Sequence, residues 1–362
     1  MAVKLGGKTL SLPILQGGMG VGISLDRLAG AVAAKGGMGT ISTAGCGFLE
    51  PDFLKNPQGA NLRALDRQVR QAKELAHSAG LVAINAMVAT VQYADSVRTA
   101  LRAGVDAVVS GAGLPLQLPA IAAEVPESDA ALAPIVSSGK AAALISKVWD
   151  KRYQRVPDFV VLEGPLAGGH LGFSHKEALE AQGGRHAPLS RLLREVREAL
   201  APFREKYRRD IPVFVAGGVE NGAQMARLME EGAAGAQFAT RFIATEECDA
   251  SEDYKKILLD AKGSDVDIVK SPVGMPGRAL RSPLIDRVEA ETQPHPSRCI
   301  NCLVPCKKME SPYCISQALI DAWHGDWNNG LFFCGANVGQ VERLSTVGEQ
   351  IDQIMTEWRA AQ

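Results

Sequence analysis

Residues Glu163 to Gly172 read Glu-Gly-Pro-Leu-Ala-Gly-Gly-His-Leu-Gly and follow the apolar run Phe159-Val160-Val161-Leu162. One imidazole, His170, stands among four glycines. Few side chains there can fill the space around it, so a ligand can approach the backbone and meet the ring. The chemistry this suggests is proton transfer or stabilisation of negative charge near neutral pH, because an unperturbed imidazole titrates there. His175 and His186 flank a segment that reads as surface, and His77 falls on a helix, so solvation is the better reading for all three.

Two later segments have the character of a phosphate site. They are Ala216-Gly217-Gly218-Val219-Glu220-Asn221-Gly222 and Gln237-Phe238-Ala239-Thr240-Arg241-Phe242. Gly217 and Gly218 leave their N–H groups bare, and Thr240 adds a hydroxyl. Near the start of the chain, Gly17 to Gly22 and Asn85 can meet a flat ligand. Small residues permit stacking, an amide donates and accepts, and Met19 offers a polarisable contact. A lone glycine-rich turn also invites a dinucleotide reading, but no acidic residue closes a second strand about 20 residues on, as that fingerprint requires.

Of seven cysteines, five cluster late, four of them (Cys299, Cys302, Cys306 and Cys314) within sixteen residues. Such thiolate spacing suits an iron–sulfur cluster or a structural zinc, against reduced thiols in a packed loop. Cys334 reads as a buried small apolar residue. Cys46 lies near the rim and reads chiefly as packing.

The elements that must position these groups are short apolar runs alternating with amphipathic stretches. The runs are Leu12–Gln16, Gly39–Ser42, Val82–Ala86, Ala107–Ser110, Pro134–Ser137, Phe159–Leu162, Pro212–Ala216 and Ala236–Ala239. Helices are predicted at about 24–34 with Ser24 as N-cap, then 62–78, 92–103, 115–123, 140–152, 189–203 and 223–231. Residues 251–262 read as the eighth helix. Eight such units in about 245 residues predict an α/β fold, a closed (β/α)8 barrel, over an open doubly wound sheet. Barrels of this kind commonly bind phosphate between the loops after strands seven and eight. The predicted division is a barrel over 1–262 and an irregular, cysteine-bearing extension over 263–362 packed on it. Residues 263–296 read as loop, with further helices at about 315–323 and 347–360.

Composition narrows the partners. The chain has 362 residues, 46% of them hydrophobic, and a formal net charge of −1. That gives no electrostatic reason to expect nucleic acid or an anionic membrane. No apolar run approaches the ~20 residues needed to span a bilayer. The N-terminus lacks a signal peptide's apolar core, and an odd cysteine count fits a reducing compartment, so a cytoplasmic location is expected.

Taken in order, Pro13 to Gly20, Ser110 to Pro115, Glu163 to Gly172, Ala216-Gly217-Gly218 and Ala239 to Phe242 resemble the nitronate monooxygenases, formerly 2-nitropropane dioxygenases. The resemblance covers about Lys4 to Thr245. The same superfamily holds flavin-dependent enoyl-acyl-carrier-protein reductases and NADH:quinone reductases. The resemblance implies a TIM barrel with FMN bound noncovalently at the C-terminal ends of the strands. It places Gly18, Met19 and Asn85 around the isoalloxazine, Gly168 and Gly169 beside the cofactor, and Gly217, Gly218, Gln237 and Thr240 at its phosphate. It makes His170 the active-site histidine. The implied reaction is oxidation of alkyl nitronates with O2 through a flavin semiquinone. The alternative is an NAD(P)H-dependent flavin reductase acting on an enoyl thioester or quinone. A third reading is a non-redox barrel binding a phosphorylated metabolite. Small-molecule substrate with O2 or NAD(P)H, and a homo-oligomer, complete the expected partners. Two departures mark a divergent subgroup: Ala239, where many relatives have Gly, and the cysteine-bearing tail.

Overall fold

The structure is a computed structural model that describes residues 2–362. Eight parallel strands close into a barrel: Ile14–Gln16, Met38–Ser42, Leu81–Met87, Ala107–Gly111, Ala131–Val136, Val160–Glu163, Val213–Ala216 and Gly235–Phe238. They are numbered 1 to 8 below. The predicted (β/α)8 TIM barrel is therefore the fold.

Strand periodicity explains how the barrel is filled. Leu15, Met38, Ala83, Val109, Ala133, Val161 and Phe214 form an inner cluster, while Ile14, Val82, Val108, Leu132, Val160 and Val213 belong to the outer core under the helices. Alternate residues point to opposite faces. The inner set is mostly small or β-branched, and Phe159 and Phe214 meet edge to face at 5.8 Å to fill its base. An antiparallel hairpin, Val3–Leu5 with Lys8–Leu10, brings the buried Leu5 and Leu10 into the same cluster.

Helix ends were less legible. Ser24 is not the first helix's N-cap. That helix spans Asp26–Ala34; the amides of its N-cap residue Leu25 and of Leu28 in its first turn donate to the Asp249 carboxylate at 2.8 and 3.2 Å. Ser24 Oγ instead accepts the Met19 N–H at 2.8 Å and pins the turn after strand 1. A helix at His175–Gln182, opened by a Ser174/Glu177 capping box, was not foreseen.

The largest correction concerns the eighth helix. Residues 251–262 do not fill that place; the helix there, Glu252–Asp260, lies on the rim of the barrel. The gap between the seventh helix (Gly222–Glu230) and the first is closed by Val347–Ala360, which packs against both. Its Val347, Ile351, Ile354, Met355 and Trp358 join the main core. The chain thus leaves strand 8, crosses the rim over residues 246–344, and returns where Ser345 pairs in parallel with Thr245.

That excursion is more regular than expected. Residues 263–296 are not simply loop: Val266–Lys270 and Pro276–Leu280 form an antiparallel hairpin, and Pro283–Glu289 is a helix. The second hairpin strand also pairs with Gly169–His170, in register Gly277 to His170 and Arg278 to Gly169.

A Cβ added at Gly222 would run into the Ile354 carbonyl and the Trp358 amide of the closing helix. Gly222→Ala should therefore cost about 1–3 kcal/mol through overpacking. Denaturant unfolding checks this. An unchanged midpoint would contradict the tight seating of the last helix against the seventh.

Candidate active site

A cavity of about 490 Å³ opens at the C-terminal ends of the strands. Gly17, Gly18, Met19, Asn85, Gly168, Gly169, His170, Gly217, Gly218, Gln237 and Thr240 all line it, so the residues expected around a ring, its phosphate and the histidine converge here. The glycines do different jobs. A side chain at Gly18 would collide with Asn85, so this glycine makes room for the amide. Gly217 has φ +72° and would press its Cβ onto the Gly164 carbonyl, so it seats two loops together. Gly218, at φ +119°, meets nothing closer than Leu166 at 3.6 Å; backbone conformation alone demands glycine there.

Several polar groups on the wall lack a protein partner. Among the described residues, the side-chain amides of Asn85 and Gln237 and the N–H groups of Gly217 and Gly218 make no hydrogen bond within the chain. Thr240 Oγ accepts the Gly335 N–H at 2.9 Å. Arg241, which sequence reasoning did not assign, brings a guanidinium to this corner. It donates to the Glu220 carbonyl and to Gln350 Oε1, both at 2.6 Å. Burial pulls its pKa down, with Glu357 and Glu220 opposing.

His170 is held from three directions. Its backbone is paired with Gly277. Its Nε2 lies 2.8 Å from Ser271 Oγ, in the turn of the rim hairpin, and its ring meets Phe333 edge on at 5.0 Å. Burial pushes its pKa down to about 4 from 6.5, so the expected titration near neutrality gives way to a neutral ring. Glu163, at the end of strand 6, also faces the cavity. Burial raises its carboxyl to about 8, with the Arg278 charge opposing. At pH 7 both groups are therefore chiefly uncharged.

Arg278 explains how the glycine-rich loop keeps its shape. Its side chain is fully buried, and Nη1 donates to the carbonyls of Pro165 and Ala167 at 2.8 and 2.6 Å. Ser271, Arg278 and Arg241 were missed because nothing local marks them. The alternating Val266-Asp-Ile-Val-Lys270 before Ser-Pro-Val-Gly was the available hairpin signal.

Other candidates sort cleanly. His77, His175 and His186 are exposed. Cys46 is packed and donates to the Asn61 carbonyl at 3.4 Å. Cys334 is buried, as expected, and also reaches the cavity wall. All seven cysteines are free thiols. Among the described residues, no three His, Cys, Asp or Glu side chains converge closely enough to hold one metal ion. No helix of the described residues is long and apolar enough to cross a membrane.

The chain belongs to the nitronate monooxygenase family, whose profile it matches over residues 4–357. A probable nitronate monooxygenase of Staphylococcus saprophyticus is 25% identical over 299 residues, 76% of this chain and 77% of the relative. The (3aS,4S,5R,7aS)-5-hydroxy-7a-methyl-1-oxo-octahydro-1H-indene-4-carboxyl-CoA dehydrogenase of Mycobacterium tuberculosis is 28% identical over 279 residues, 77% of this chain and 65% of the relative. Among solved structures, FabK from Thermotoga maritima superposes with a TM-score of 0.69 at 24% identity, covering 97% of this chain and 94% of its own, a likeness of fold. The family is flavin-dependent and the protein is an oxidoreductase.

The depressed pKa of His170 has a measurable sign. Between about 4 and 6.5 the unfolded chain binds a proton that the folded imidazole refuses, so the contribution of His170 to stability is lost as pH drops through that window, while the raised Glu163 carboxyl acts in the opposite sense. His170→Asn should flatten this part of the pH–stability curve. In the wild type the imidazole NMR signals should stay those of a neutral ring down to pH 5; a midpoint near 6.5 would contradict the buried-ring account.

Proposed function

We propose that the cavity holds FMN and that the protein oxidises alkyl nitronates with O2. Support for the cofactor comes from the wall. A corner with unpartnered Gly217 and Gly218 amides, the Thr240 hydroxyl and the Arg241 guanidinium suits a phosphate. The cavity volume lies in the range of cofactor pockets. Asn85 and Gln237 carry unused donors and acceptors for the polar edge of a ring, and Gly18 and Met19 give it a close apolar surface. Bound FMN would supply the electron-accepting ring that passes electrons on to O2.

The observation that carries the substrate reading is the neutral His170 beside Ser271. Burial that holds an imidazole down to about 4 makes it a poor base toward a carbon acid. A nitronate arrives already deprotonated and needs no such base. Its negative charge can instead be met by an N–H of the neutral ring, and the anion favours any proton the imidazole takes up later. Ser271 Oγ, 2.8 Å from Nε2, fixes the ring's orientation. Arg278 and the hairpin keep the loop from drifting, so His170 meets substrate at one distance.

One relative acts on a carboxyl-CoA compound by name, which favours a second reading: reduction or dehydrogenation of a CoA-type thioester with a nicotinamide nucleotide as partner. There a neutral His170 or Glu163 would position a carbonyl or deliver a proton.

Anaerobic mixing separates the two. An alkyl nitronate should bleach the flavin of the loaded protein, and the neutral nitroalkane should do so far more slowly. No response to nitronate, with rapid bleaching by NADH or NADPH, would replace the first reading with the second. His170→Ala should keep FMN and lose about 10²–10⁴-fold in turnover. Unchanged turnover would remove the histidine from the chemistry. Gly218→Val should lower flavin occupancy, since the new side chain must adopt a conformation that L-residues rarely take.

A further inference from the structure

The segment between the rim helix Pro283–Glu289 and the helix Ile315–Trp323 has almost no regular structure. Loops this long inside a compact domain are uncommon unless something holds them. Its own apolar contribution is small: Leu303 and Tyr313 are buried, but Val304 and Met309 are 70% and 76% exposed. Backbone contacts tether it at one place, where Leu303 bridges Thr90 and the Val91 amide donates to the Cys302 carbonyl at 3.1 Å. The rest turns around four cysteines.

Their arrangement is specific. Cys302 and Cys306 are half-buried against the apolar cluster beneath the loop. The Cys302 sulfur is close enough to those of Cys306 and Cys314 to feel their charge, and Cys314 likewise to those of Cys299 and Cys306. The network thus links all four thiols, and none is in a disulfide. Polar groups already lie against two of the sulfurs. The Asn301 N–H points at Cys299 Sγ at 3.4 Å from a left-handed backbone (φ 50°), and Ser311 Oγ lies 3.2 Å from Cys306 Sγ. Cys314 is the N-cap residue of a nine-residue helix. Donors to sulfur stabilise ligated thiolates and tune a cluster.

The spacing also discriminates between metals. A tetrahedral zinc with Zn–S bonds near 2.3 Å needs its sulfurs about 3.8 Å apart. No three potential ligands among the described residues come together for a single ion. A polynuclear centre fills a wider gap, because its bridging sulfides and several irons lie between the cysteines. We propose that Cys299, Cys302, Cys306 and Cys314 ligate an iron–sulfur cluster, one thiolate each. The cluster is the missing core of the rim segment. Five residues beyond Cys314, Leu319 lines the cavity and also the small cleft beneath the cysteine loop, which His170 reaches too. Leu319 thus stands between the cysteine loop and one wall of the candidate active site.

The test is metal and sulfide analysis of the full chain. It is purified without oxygen, then reconstituted with ferrous iron and sulfide under argon and desalted, with released flavin measured on the same samples. Iron and acid-labile sulfide should be retained in equal amounts, at least about two of each per chain, with an EPR signal after dithionite reduction. Cys302→Ala and Cys314→Ala should each lose most of the iron and sulfide while keeping the flavin. One tightly bound zinc without iron, no iron and sulfide after reconstitution, or equal retention in the two variants would overturn the proposal. Because flavin is read separately, none of these outcomes bears on the FMN reading.

Discussion

A guanidinium with no access to solvent holds the two halves of the cavity together. Arg278 belongs to the rim hairpin, yet its Nη1 is satisfied by two carbonyls of the glycine-rich loop after strand 6. Its Nε and Nη2 find no partner, so the side chain carries an uncompensated part of its desolvation cost. A loop containing Gly164, Gly168, Gly169 and Gly172 has little intrinsic preference for any shape. The buried donor and the Gly277–His170 pairing supply that preference from outside. Every property assigned to His170 depends on this clamp: its burial, its contact with Ser271 and its edge-on approach to Phe333.

The same burial sets the electrostatics. His170 and Glu163 are driven in opposite directions along the pH scale and reach the same state. The imidazole is pushed down and the Glu163 carboxyl up, so both are mainly uncharged at neutral pH. The opposite corner keeps the Arg241 guanidinium, faced in part by Glu220. The Arg241 corner suits a ligand whose charge is concentrated in a tail, and the uncharged imidazole suits an anionic substrate that approaches a hydrogen-bond donor rather than a base.

The barrel was legible because strand and helix periods are local properties. Runs such as Val82–Ala86 and Val213–Ala216 are apolar on both faces, as buried parallel strands must be. The lining glycines, Asn85 and His170 were legible because barrel chemistry collects at strand ends. What stayed hidden is non-local. Nothing in Val347–Ala360 says that it completes a ring begun at Asp26, since the chain first crosses the rim for about a hundred residues. Asp249 caps a helix more than 200 positions earlier in the chain. The pKa of His170 could not be read either, because it is set by packing from Phe333 and the hairpin rather than by neighbours in sequence. The Ser174/Glu177 capping box, by contrast, was present in the string Ser-His-Lys-Glu and opened a helix where only a surface segment was expected.

The proposed site sets one rigidly held, uncharged imidazole against the substrate side of a flavin whose phosphate lies in the Gly217/Gly218/Thr240 corner. A crystal structure of the FMN-loaded protein with a nitronate bound tests it most directly. Phosphate density is expected at that corner, the ring alongside Asn85, and His170 still bonded to Ser271 with the nitronate between imidazole and ring. Phosphate density elsewhere, or a His170 ring turned away from the bound substrate, would contradict it.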